Sequence, residues 1–433
     1  MKRGCGSRLE DALAKTLLRR KTSKTIRALS TRPTGSVDFS SNDFLSLATS
    51  KELREGFLAE LNAGSSILGS GGSRLLDGNS TYAEALEKDI ASFHGAETAL
   101  LCNSGFDANA GLFSCLPQRG DIIVYDDFIH ASVHDGMKLS RASKCLPFAH
   151  NSVAGLKEVL IDCLRDPKIK DGSRNVFIAV EGVYSMDGDV PPLSAIVDLI
   201  HELLPLGNGH LIVDEAHSTG VFGPRGSGLV CGMGLEKEVL VRLHTFGKAL
   251  ACNGAALLCS DTVRQYLINY ARPLIYTTFL SYPSLAAIRA SYTYLMQGET
   301  IPLQANLHSL IAHLHTRLLD LQYSLRLAVS NSASNTALMS VPTEKPVSPI
   351  FYVLSSEPKA LAAYCQAKGF VVRGIVPPTV PRGGERVRIC LHAGNTSGEI
   401  DGLVQVIGQW VQQQTRQSGT EDATAPKARQ AKL

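Results

Sequence analysis

Several common signals are missing from this sequence. It has one Trp among 433 residues and 6% aromatic side chains, so no platform for stacking nucleic-acid bases is spelled. A formal net charge of +3 is too small to argue for a polyanionic partner. No run of 18 or more apolar residues occurs, which argues against a membrane span. The stretch from Ala249 to Cys259 comes nearest, and Asn253 and Gly254 interrupt it. None of the ten cysteines falls in a C-x-x-C pair, and their scatter predicts buried free thiols in a reducing compartment. The H-E-x-x-H spelling is absent, so His130 and His134 are not expected to bind a metal. There is no internal repeat.

Hydrophobic residues make up 44% and charged residues 19%, a globular composition, and the length suggests two or three domains. Short apolar runs at Phe177 to Val180, Leu211 to Val213, Val239 to Leu243 and Ala255 to Cys259 read as buried strands of a mostly parallel sheet. Helical patterns at Thr81 to Phe93 and Ser194 to Leu203 alternate with them, which predicts an α/β fold with helices on both faces. After Tyr282-Pro283 come long helical stretches, a Ser/Asn/Pro-rich loop at 331–348 and strand-like runs at Ile350 to Leu354 and Arg386 to Leu391. The reading is an N-terminal helical segment (1–50), a large α/β domain (51–285), a smaller α+β domain (286–411) and a disordered tail (412–433).

The two ends carry other signals. Residues 1–32 hold ten Lys or Arg against Glu10 and Asp11. That suits a transit peptide, but Leu9, Leu13, Leu17 and Ile26 suit an amphipathic helix better, and the segment is neither Ser-rich nor acid-free. The last three residues, Ala431-Lys432-Leu433, are a variant of the Ser-Lys-Leu peroxisomal address. The expectation is a peroxisomal protein handled by the import receptor, and otherwise a cytoplasmic one.

Asp214-Glu215-Ala216-His217 matches a helicase box. The phosphate loop that a helicase also needs is missing: Gly247-Lys248 is followed by Ala249, with Arg242 where the first Gly should stand. Gly69 to Arg74 likewise lacks the last Gly of a dinucleotide fingerprint. Another pairing fits. A strand ends in Asp214, and the next leads into Phe246-Gly247-Lys248. Pyridoxal 5'-phosphate (PLP) needs a carboxylate at its pyridine nitrogen and a lysine at its aldehyde. That lysine must be uncharged part of the time, which burial near other cations promotes.

Six blocks then make the sequence recognisable: Ser41 to Leu45, Gly69 to Arg74, Asn103 to Asn109, Glu181 to Asp189, Asp214 to Gly220 and Thr245 to Ala249. In this order they resemble the α-oxoamine synthases, PLP-dependent acyl-CoA condensing enzymes of the aminotransferase fold (fold type I). Phe148-Ala149-His150-Asn151 and Pro377 to Pro381 make the chain most similar to the branch that condenses L-alanine with pimeloyl-CoA in biotin biosynthesis.

The resemblance implies roles. Lys248 would bond the cofactor and then take a proton from the substrate. Asp214 would face the pyridine nitrogen, His130 would stack on the ring, and His217 and Ser185 would bond its phenolic oxygen. Ser104, Gly105, Phe106 and Thr245 would hold the phosphate, with Thr277 and Thr278 reaching that of a neighbouring subunit in a homodimer. Asn42 and Arg388 would hold the amino acid's carboxylate, and Arg20 and Thr379 would meet the acyl substrate. Arg388 alternates with Val387 and Ile389, so the pattern alone would put it on a solvent-facing strand. Val376 stands where bacterial relatives usually have Arg, and Ala83 where relatives often have His, which leaves the acyl partner open. A sister synthase using glycine or serine, a plain aminotransferase and a non-catalytic partner subunit are the other readings.

Overall fold

The computed structural model describes residues 7–23, 25–64, 68–329 and 339–424. The chain divides into two units, Met1–Ser36 and Val37–Leu433. In the first, α1 (Arg8–Thr22) opens with a capping box: Ser7 Oγ accepts from the Glu10 N–H, and the Glu10 carboxylate accepts from the Ser7 N–H. Acids in its first turn and Arg19, Arg20 and Lys21 in its last complement the helix dipole. Arg20 is exposed and donates to the Thr25 carbonyl at 3.4 Å.

The second unit begins with β1 (Val37–Asp38), α2 (Lys51–Ala63) and α3 (Thr81–Phe93). Strands and helices then alternate: β2 (Thr98–Cys102), α4 (Gly105–Cys115), β3 (Ile122–Asp126), α5 (Ala131–Lys138), β4 (Lys144–Phe148), α6 (Val153–Cys163), α7 (Pro167–Lys170), β5 (Val176–Glu181), α8 (Leu193–Leu203), β6 (Gly209–Asp214), α9 (Leu229–Met233), β7 (Val239–Thr245) and β8 (Ala255–Cys259). Seven strands form one sheet in the order β2-β8-β7-β6-β5-β3-β4, parallel except for β8, as the apolar runs predict. All six residues of β5 are buried because helices cover both faces. Ile178, Leu211 and Val213 pack on Leu156 and Leu160 of α6 and Ile196 of α8. Ala179, Ile212 and Leu243 pack on Ala108 and Leu112 of α4 and Val133 of α5. This alternation places Glu181, Asp214 and Thr245, the last residues of their strands, on the α4 side.

The chain continues through α10 (Asp261–Tyr270), α11 (Arg272–Ile275), α12 (Tyr282–Met296) and α13 (Ile301–Val329). It then builds a three-stranded antiparallel sheet of β9 (Ile350–Leu354), β11 (Arg373–Ile375) and β12 (Arg386–Cys390), with α14 (Pro358–Ala367), β10 (Phe370–Val371) and α15 (Ser397–Thr424). Leu314, Val353, Val387, Ile389, Leu403 and Ile407 share one core there. β1 pairs in parallel with β10, and Ala393 N–H donates to the Phe44 carbonyl at 2.7 Å, so the segment around Asn42 is tied to the C-terminal region.

The expected tail differs. Helix α15 runs past Gln412 to Thr424 because Ile407, Trp410 and Val411 anchor it in the core and Gln413 Nε2 donates to the Tyr364 hydroxyl at 3.1 Å. Residues 425–433, with the terminal tripeptide, lie outside the described residues. So do 330–338 of the expected loop; beyond them Val341 is buried, its N–H bonded to Gln322 Oε1 at 2.8 Å. Among the described residues no helix is long and apolar enough to cross a membrane.

Candidate active site

Two acidic residues end neighbouring strands in register, Glu181 on β5 and Asp214 on β6, both buried. Asp214 Oδ1 accepts from the Ala216 N–H at 3.0 Å, and Oδ2 accepts from Asn109 Nδ2 at 2.8 Å. Asn109 is buried in the middle of α4 and also donates to Ser132 Oγ at 3.0 Å. Ser132 in turn fixes His130: its backbone N–H donates to His130 Nδ1 at 3.2 Å, with the hydroxyl 2.7 Å from the same nitrogen. A backbone N–H can only donate, so Nδ1 is the acceptor and the neutral ring carries its proton on Nε2. His130 is exposed as a residue, yet partial desolvation of its ring lowers its pKa; Asp214 opposes this, and Lys248 adds to it.

One strand further along, β7 delivers Thr245 and then Lys248. The Lys248 amine makes no hydrogen bond or ion pair with the described residues. Burial lowers its pKa, opposed by Asp214 and Glu181 and assisted by Arg388. Thr245 faces the start of α4 so closely that a Cβ on Gly105 would stand 2.2 Å from its Oγ1. Ser104 caps that helix, its Oγ accepting from the Asp107 N–H at 3.0 Å. Ser104, Gly105, Phe106 and Thr245 therefore meet at a helix N-terminus, a place suited to a phosphate.

His217, three residues after Asp214, is buried, and its Nδ1 has no partner. Burial holds its pKa well below the usual value, and the nearby cations Lys248 and Arg388 lower it further. Arg388 is buried rather than solvent-facing: all five residues of β12 are buried, so alternation along that strand does not mark an outside face. Its Nε donates to the Ser185 carbonyl at 2.7 Å and its Nη2 to Asn42 Oδ1 at 3.0 Å. Three expected site residues distant in sequence thus converge.

Others stand apart. Thr379 is exposed in a turn closed by its own N–H on the Val376 carbonyl at 3.2 Å. Thr277 and Thr278 are exposed, and the Thr278 carbonyl accepts from Asn103 Nδ2 at 2.7 Å, beside the phosphate-type loop. Arg20 belongs to the first unit.

Three contributors had no role in the sequence reading: Asn109, Glu181 and the pair Glu215–His244. The pair is fully buried, with Glu215 Oε2 3.2 Å from His244 Nε2. It brings the turn after β6, next to Asp214, against the end of β7, which leads to Lys248. Asn109 and Glu181 sit inside two of the recognised blocks, so position in those blocks was the available signal.

The residues fit PLP. Besides the Asp214 carboxylate and the Lys248 amine, His217 Nδ1 and Glu181 Oε1 are buried without partners, and such groups point to a polar ligand. An 8-amino-7-oxononanoate synthase of Emericella nidulans is 54% identical over 94% of this chain and 97% of its own length. The aminoacyl transferase sphA of Aspergillus fumigatus is 40% identical over 98% of this chain and 91% of its own. The crystal structure of 8-amino-7-oxononanoate synthase (bioF) from Francisella tularensis superposes with a TM-score of 0.68 at 26% identity, covering 88% of this chain and 100% of that one. The family model "Aminotransferase class I and II" matches residues 34–407, and together with the strand-end carboxylate and the half-buried lysine this makes the chain a member of that PLP-dependent family.

Proposed function

We propose that this PLP-dependent acyltransferase condenses L-alanine with pimeloyl-CoA to give 8-amino-7-oxononanoate, CoA and CO2 in biotin biosynthesis. The observation that carries the reading is the 54% identity to the Emericella synthase over nearly both whole chains. A C–C bond forms between the alanine Cα and the thioester carbonyl, the C–S bond breaks to release CoA, and the carboxylate leaves as CO2.

PLP would supply an electron sink next to the amino acid's Cα. The chain's own groups do the rest. Asp214, oriented by Asn109 and the Ala216 N–H, holds a proton at the pyridine nitrogen. Lys248, its charge disfavoured by burial, takes the Cα proton as general base. With the cofactor bound, His130 would cover the ring, while His217 and Ser185 would bond its phenolic oxygen. Arg388 and Asn42 would grip the substrate carboxylate, and Ser104, Gly105, Phe106 and Thr245 would grip the phosphate. The exposed Thr277 and Thr278 suit a second copy, and the working form is a homodimer.

The test is mass spectrometry of the product from L-alanine and pimeloyl-CoA. Recovery of 8-amino-7-oxononanoate supports the reading. No product, with good turnover of another pair, overturns it. A second reading, a sister synthase for another acyl-CoA, is favoured by the 40% identity to sphA and by Val376; a panel of amino acids and thioesters separates the two. The peroxisomal address belongs to the same proposal, and a fluorescent fusion that stays cytosolic with Ala431-Lys432-Leu433 intact would remove it.

A further inference from the structure

The block Phe148 to Asn151 carries a histidine that the chemistry above does not use. His150 lies in the loop between β4 and α6, with its side chain only 18% exposed. Its Nδ1 is 2.8 Å from Asp126 Oδ1 and its Nε2 is 2.8 Å from Asp189 Oδ2. Carboxylate oxygens accept, so both ring nitrogens donate, and the ring is an imidazolium. The Phe128 ring stacks on it at 4.2 Å, and Tyr184 meets it edge-on at 4.5 Å.

The two carboxylates belong to different parts of the site. Asp126 ends β3 and is fully buried; its Oδ1 also accepts from the Phe128 N–H at 2.9 Å, within the turn that delivers His130 to the start of α5. Asp189 closes the loop from Tyr184, its carbonyl accepting the Tyr184 N–H at 3.0 Å; that loop carries Ser185, whose carbonyl holds Arg388. Asn151 doubles the link, with its N–H on Asp126 Oδ2 at 2.8 Å and its Nδ2 on Asp189 Oδ2 at 2.7 Å. Its φ of 52° is one that Asn tolerates better than most residues.

We propose that His150 is a positioning residue, an imidazolium strut that sets the His130 turn and the Ser185 loop at their working separation. The proposal rests on the PLP reading of the site, though not on any substrate. The charged groups facing the ring are Asp126 from β3 and Asp189 from the loop after β5; Tyr184 faces it uncharged, and Asp187 in the same loop is paired with Arg386. Burial alone would lower the ring's pKa, but the bonds to Asp126 and Asp189 outweigh it and raise it to about 9. Because the folded value is the higher one, the strut is complete below the ordinary His value of about 6.5 and is lost as the pH rises through about 9.

The experiment has two parts, neither using amino acid or thioester. The first follows the His150 ring by NMR across pH 5–10 in the apoprotein, with His150→Asn to assign the signal. A midpoint near 9 is expected, and one near 6.5 overturns the proposal. The second measures PLP affinity against pH by cofactor absorbance for the wild type, His150→Asn and Asp189→Asn. Wild-type affinity should fall across the ring's titration. His150→Asn should be about tenfold weaker near neutrality, the scale of one charge-assisted hydrogen bond, and should lack that step. Asp189→Asn changes a half-exposed carboxylate and leaves the fold intact; it should move the step to lower pH. Wild-type pH profiles in both variants overturn the strut, while loss of PLP binding by the wild type at every pH overturns the cofactor reading instead.

Discussion

Gly105 offers a sharp test of how the phosphate end of the site is built. A methyl at this position would stand 2.2 Å from Thr245 Oγ1, with Thr245 Cβ and Cγ2 next at 3.3 and 3.4 Å. Only the hydroxyl overlaps, and it must move by about 1 Å to reach ordinary contact. The backbone of Thr245 cannot yield easily, because it is paired with Ala255 of β8 and follows closely on the β7 residues paired with β6. The side chain is β-branched and stiff at χ1, so turning it is costly as well. Overpacking of this kind costs about 1–3 kcal/mol. Removing the hydroxyl first, in Thr245→Ala, removes the overlap. Gly105→Ala should then be near neutral, or slightly stabilising through its better helix propensity. Urea unfolding of the four apoproteins therefore predicts a coupling of about 1–3 kcal/mol between the two positions. The same cycle read as PLP affinity should show Gly105→Ala weakening binding about 10–100-fold by displacing a hydroxyl from a charged partner, with little further loss in the Thr245→Ala background. Additivity within about 0.5 kcal/mol in both readouts would refute the packing argument.

Lys248→Ala should fold, as judged by circular dichroism, yet show neither the absorbance of lysine-bound cofactor nor turnover. An active variant would sink the assignment of the lysine. Arg388→Lys cannot bond both Asn42 and Ser185 in the same fork and should raise the KM for the amino acid at least about tenfold with a smaller effect on kcat. The buried thiols Cys102 and Cys365 are each pushed up to about 12 by desolvation and should resist a thiol reagent at pH 8 until the protein is unfolded; rapid labelling of either in the native state would contradict the packing.

Much of the sheet was legible because β5 to β8 are short apolar runs, and a strand buried on both faces has that pattern. The Asp214–Lys248 pair was legible because one cofactor demands both groups. The partners that orient them were not. Asn109 lies in a helix interior, where Asn has no favoured role, and its bond to Asp214 spans 105 positions. Arg388 was legible from the resemblance and not from the strand pattern, because a period of two shows which residues share a face, not whether the other face is also covered. The stretch after Gln412 has no apolar period, yet it is helical to Thr424 because a helix propagates cheaply from a packed segment.

The pairing of Asn42 with Arg388 bears on the order in which the molecule is made. When Lys248 is added to the growing chain, every strand of the large sheet except β8 has been synthesised. Arg388 follows 140 residues later, roughly 10–30 s at ordinary elongation rates. A nascent chain can therefore bring the lysine and the Asp214 carboxylate together before Arg388, the proposed partner of the substrate carboxylate, has been synthesised.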